Sequence, residues 1–105
     1  MTTVDVKPGI CGFNTHIEAT ADASFKVTLE IASECSHIRE LAEQLTHVSA
    51  FEELRCPINE TNVYRAAAAC KAHVACPVPS AILKTIEVAA GMALPADVHM
   101  AIAKD

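Results

Sequence analysis

Apolar and polar residues alternate along the first third of the chain. Val4 and Val6 alternate with Asp5 and Lys7, which predicts a short strand. A loop, KPGICGF, follows at residues 7–13. Phe13, Thr15, Ile17 and Ala19 then alternate with Asn14, His16, Glu18 and Thr20, the period-two pattern of a half-buried strand. Ala21 to Ser24 reads as a hairpin connection. Beyond it Phe25, Val27, Leu29 and Ile31 share one face, and Lys26, Thr28 and Glu30 the other.

The period changes at Ser33, a residue suited to capping a helix. Ile38, Leu41, Ala42, Leu45 and Val48 recur at helical spacing, with Arg39, Glu40, Glu43 and Gln44 on the wet side. Phe51 to Leu54 fits a short helical turn, which Pro57 breaks. Asn59 or Thr61 then caps an alanine-rich helix expected to run to about His73, burying Val63, Ala66, Ala67, Cys70 and Val74. Pro79 suits the first turn of another helix. Ile82, Leu83, Ile86, Ala89 and Ala90 form its inner face, and Gly91 ends it. After Pro95, Val98, Met100 and Ile102 alternate with Asp97, His99 and Ala101, predicting a last strand. The expected fold is therefore α+β: an antiparallel sheet of three N-terminal strands plus a C-terminal strand, packed against three to four helices.

The 105 residues make one domain, expected to span 1–105. No tryptophan, one tyrosine and three phenylalanines leave an aliphatic core. A net charge of −5 with scattered lysines and arginines argues against binding a nucleic-acid backbone. No stretch is apolar enough to span a membrane or serve as a signal peptide, so a cytoplasmic location is expected.

Five cysteines change the picture. In a reducing compartment they do not read as a disulfide framework, so metal binding or thiol chemistry leads. Cys11 sits at a loop tip before Gly12. Cys35 lies where the third strand gives way to a helix, whose positive end would favour its thiolate. Cys56 in RCPINET and Cys76 in ACPVPSA share a pattern: Cys, Pro, an aliphatic residue, then a helix start. Free N–H groups there would stabilise a thiolate or bond to cluster sulfides. Cys70, on an apolar stripe, reads as a small buried hydrophobe. The absence of CxxC pairs disfavours a zinc finger or ribbon.

The order of elements and the placement of the cysteines resemble the U-type iron–sulfur scaffold proteins, the IscU and NifU N-terminal domain. That family carries one cysteine in a Cys-Gly-Asp loop between its first strands, one at the third-strand-to-helix junction and one before a late helix. The matching positions are Cys11 in ICGF, Cys35 in SECSHI and Cys76 in ACPVPSAILK, up to Gly91. The resemblance implies a cluster held by those three residues. Phe13 stands where the family has Asp, and Ala75 where it has His, the nearest histidine being His73. An apolar Phe13 beside a cluster would favour retention over hand-on. The stretch HVACPVPSAILKTIEVAAGMALPADV also looks like a small uncharacterised prokaryotic family.

The expected function is therefore iron–sulfur binding, with a 4Fe-4S cluster on Cys11, Cys35, Cys76 and, as the fourth ligand, Cys56. Cys70, His37 and His73 are the other candidates for that fourth place. The role would be electron transfer, cluster storage or delivery, with redox or cluster-transfer proteins as partners and a homodimer supported by aliphatic faces. A zinc site on the same cysteines, a non-catalytic interaction module and a thiol-redox enzyme on Cys35 or Cys76 are the alternatives. No Ser/His/Asp order, HExxH or phosphate loop appears. Glu40, Glu43, Glu52 and Glu53 read as solvated, and His16, His47 and His99 lie on expected polar faces.

Overall fold

The computed structural model describes residues 1–105. Strand β1 is Thr2–Val6, β2 Thr15–Ala21, β3 Lys26–Ser33 and β4 His47–Ser49. Helix α1 is Ser36–Gln44, α2 Ala50–Glu53, α3 Asn62–Ala69 and α4 Val78–Ala89, with a 3₁₀ turn at Ile58–Glu60. The four strands pair in chain order, antiparallel throughout, and α1 and α4 pack on the sheet. The protein is an α+β domain.

The alternation read from the sequence sets the register. Val4 pairs with Ile17 and Ile17 with Ile31, so their side chains face the helices. Asp5, His16, Glu18, Glu30 and Thr28 take the open face. Ile17, Val27, Ile38, Leu41, Val63, Val78, Ile82 and Ile86 are fully buried in one aliphatic core without a single aromatic ring. Phe25 ends the β2–β3 hairpin at φ 65° and meets Phe51 edge-on at 4.7 Å. Asp22 organises that hairpin, its Oδ1 accepting from the Ser24 and Lys26 amides at 2.8 and 3.1 Å.

Three sequence expectations shift. The fourth strand is His47–Ser49, not the segment after Pro95, which forms no strand and stays exposed. Val48 fits a helical stripe and a strand equally well. Main-chain pairing of residues 47–49 with Lys26–Thr28 decides for the strand. Helix α1 begins at Ser36, with Cys35 in the cap position, while Ser33 closes β3. Helix α3 ends at Ala69, because Lys71 turns left-handed at φ 55° and the Lys71 and Ala72 amides close on Ala68 and Ala67. Val74, expected inside, is 101% exposed. Thr61 caps α3 as expected, accepting from the Tyr64 amide at 3.0 Å, and Gly91 ends α4 at φ 74°.

Candidate functional site

Three of the cysteines lie on segments at one end of the sheet. The loop after β1 closes through a turn in which the Gly12 amide donates to the Gly9 carbonyl at 3.0 Å. Both glycines have positive φ, 96° and 71°, which explains their place on either side of Ile10 and Cys11. The turn leaves Ile10 fully in solvent and Cys11 exposed. Its base is tied to the end of β3: the Asn14 amide donates to Glu34 Oε1 at 2.8 Å, and the Glu34 amide to the Asn14 carbonyl at 3.1 Å.

Cys35 is set by the same junction. Ser33 Oγ bonds Thr15 Oγ1 at 2.7 Å and accepts from the Cys35 amide at 3.1 Å. Arg39 donates to the carbonyls of Ser33 and Glu34 at 3.3 and 3.1 Å, fixing the chain just ahead of the cysteine. No side chain caps α1, so its first amides have no side-chain acceptor.

Cys76 arrives by a turn in which its amide donates to the His73 carbonyl at 3.0 Å. Helix α4 also lacks a side-chain cap, since Pro77 holds that position. Burial pushes the Cys76 thiol up. The nearby Val78 amide pulls the other way, and the charges of Cys35 and Cys11 push up again. The three thiols sit on a loop and at two helix starts, with Cys76 within electrostatic reach of the other two. Half-buried Cys35 and Cys76 pack on the core, while exposed Ile10, Phe13 and Val74 belong to the segments that carry Cys11 and Cys76. As they stand, no three His, Cys, Asp or Glu side chains are gathered closely enough to hold a metal ion.

Cys56 does not join them. Its thiol donates to the Glu53 carbonyl at 3.5 Å, and Glu53 sits at the N-terminus of α3. The other end of α3 faces the start of α1, where His37 Nδ1–H donates to the Cys70 carbonyl at 2.9 Å. The eight-residue helix therefore stands between Cys56 and the three-thiol end, a length of roughly 12 Å at ~1.5 Å per residue. Cys70 is buried as expected. Burial first, then the charges of Glu40 and Glu43, push its thiol up. His37 and His73 both lie at the three-thiol end, and the bond to the Cys70 carbonyl fixes the His37 tautomer.

Two polar clusters escaped the sequence reading. Glu53 is 2% exposed, and its carboxylate accepts the Asn62 and Val63 amides at 2.9 and 2.8 Å. It is a buried cap for α3 rather than a solvated residue. No local spacing signals a carboxylate nine residues ahead of the helix it caps. On the open sheet face, His16 Nδ1 bonds Asp5 Oδ1 at 2.6 Å and His16 Nε2 bonds Glu18 Oε2 at 3.1 Å. Alternation placed these side chains on one face; only the strand register made them partners.

Fold and site define a small α+β domain with a three-thiol end. The chain belongs to the family of unknown function DUF6951, whose model matches residues 2–102. No curated protein and no solved structure matches it. No helix is long and apolar enough to cross a membrane.

Proposed function

We propose that this protein is a cytoplasmic iron–sulfur protein in which Cys11, Cys35 and Cys76 bind the cluster. The observation that carries the reading is the placement of the three cysteines: the β1–β2 loop with Cys11 and the end of β3 before Cys35 share one end of the sheet, and Cys76 precedes α4, which packs on β1 and β2. Thiolates and helix-start amides are the donors a cluster needs. The loop carrying Cys11 is the part that must close to bring the three sulfurs to ligating distance. His37, with Nδ1 already engaged, has Nε2 as a remaining donor at this end and replaces Cys56 as the fourth candidate. A bound cluster supplies one-electron chemistry. Phe13, half exposed beside Cys11, would screen it from water once the loop closed, which suits an electron carrier or store, and Ile10 and Val74 offer an apolar rim to a protein partner.

Anaerobic reconstitution with iron and sulfide tests this. The expected product is a brown protein with matched iron and sulfide content. Cys11→Ser, Cys35→Ser and Cys76→Ser each bleach it, and Cys56→Ser leaves it coloured. A colourless, iron-free product overturns the reading, and stoichiometric zinc without sulfide would assign a zinc site instead.

A further inference from the structure

The chain carries a strand-forming segment without a sheet and a sheet edge without a strand. After α4, the Met92 amide makes the last main-chain hydrogen bond, to the Glu87 carbonyl at 2.9 Å. Beyond it no strand or helix forms, in a molecule extending 48 × 28 × 25 Å. Val98, Met100 and Ile102 alternate with polar or small residues, yet are 63%, 69% and 91% exposed. Leu94 is equally uncovered. Large apolar side chains left in solvent on one face of a segment mark an interaction surface.

The free edge is β1. Its five residues pair with β2 on one side only. The opposite edge, β4, has three residues and passes straight into α2. An open edge of main-chain donors and acceptors is a template for another strand. Val4 on β1 and Leu83 on α4, which packs against β1, are only half-buried and provide apolar ground beside it.

We propose that the segment Asp97–Ala103 of one copy pairs with β1 of a second copy, and reciprocally, forming an exchanged homodimer. Three observations commit the occupant to a second copy. The strand and the edge belong to the same chain yet do not meet within it. The family match extends through residue 102, so the segment is part of the same unit as the sheet. Reciprocal exchange buries three large apolar side chains from each copy, Val98, Met100 and Ile102. With the ground they cover, this removes on the order of 1,000 Å² from water, the lower bound for a specific interface. A two-fold axis closes the assembly and leaves no free β1 edge. The inference is independent of the three-thiol end.

The test uses the full chain and its double variant Met100→Glu/Ile102→Glu. Both residues are exposed in the single chain, so the variant retains its circular dichroism spectrum. In sedimentation equilibrium, wild type is expected at twice the 11.1 kDa chain mass. The variant is expected to associate about two orders of magnitude more weakly or worse. In a mixture of labelled and unlabelled wild-type chains, isotope-filtered NMR is expected to show contacts between residues 98–102 of one copy and 2–6 of the other. A single-chain mass for wild type, an undiminished dimer in the variant, or 98–102 contacts to 2–6 confined to one chain would each overturn the proposal.

Discussion

His16 bonds a carboxylate through each ring nitrogen, and only the protonated ring donates from both. Its pKa is raised, first by the bond to Asp5 and then by that to Glu18. A raised value in the fold means stability that is fully present below the unfolded value of about 6.5 and lost as pH rises through the folded one. An NMR titration of the imidazole should therefore give a midpoint above ~6.5, and Asp5→Asn should lower it. A midpoint at or below the unfolded value would remove the cluster as a charged interaction. The sequence put Asp5, His16 and Glu18 on one face by alternation, but the pairing of Asp5 opposite His16 depends on the register between β1 and β2. At Cys76 the raised pKa means that the free thiol is protonated near neutrality, so binding a metal there must release a proton.

Helix α3 shows how an element depends on distant residues. Thr61 caps it locally, which its position just before Asn62 made legible. The second cap comes from Glu53, whose carboxylate reaches back to two amides from inside the core. Removing it leaves buried donors without partners, so Glu53→Ala should cost about 1–3 kcal/mol in urea unfolding. Glu53→Gln, which keeps one acceptor oxygen, should cost less. A change in Glu53→Ala within ~0.5 kcal/mol would show that water serves these amides equally well. Strand β4 makes the same point. Three residues carry too little pattern to announce a strand, and pairing with Lys26–Thr28 settles it.

For the whole molecule, the exchanged dimer makes stability depend on concentration. The melting temperature should rise with protein concentration for wild type and stay flat for Met100→Glu/Ile102→Glu, as mass action requires. Differential scanning calorimetry over a dilution series measures this. A flat wild-type series would count against exchange. The sequence by itself determined the α+β class, the first three strands, the aliphatic core and the ends of α4. Each rests on short-range periodicity or on a residue such as Gly91, whose φ of 74° suits glycine. It also singled out Cys11, Cys35 and Cys76, because turns and helix starts are marked by nearby Gly and Pro. Only the tertiary structure decided which cysteines lie at the same end of the molecule. Cys56 and Cys76 sit in near-identical local motifs, but α3 stands between the first and the other thiols, and no local pattern encodes that separation. The tail likewise had the alternation of a strand, yet a strand exists only where an edge receives it.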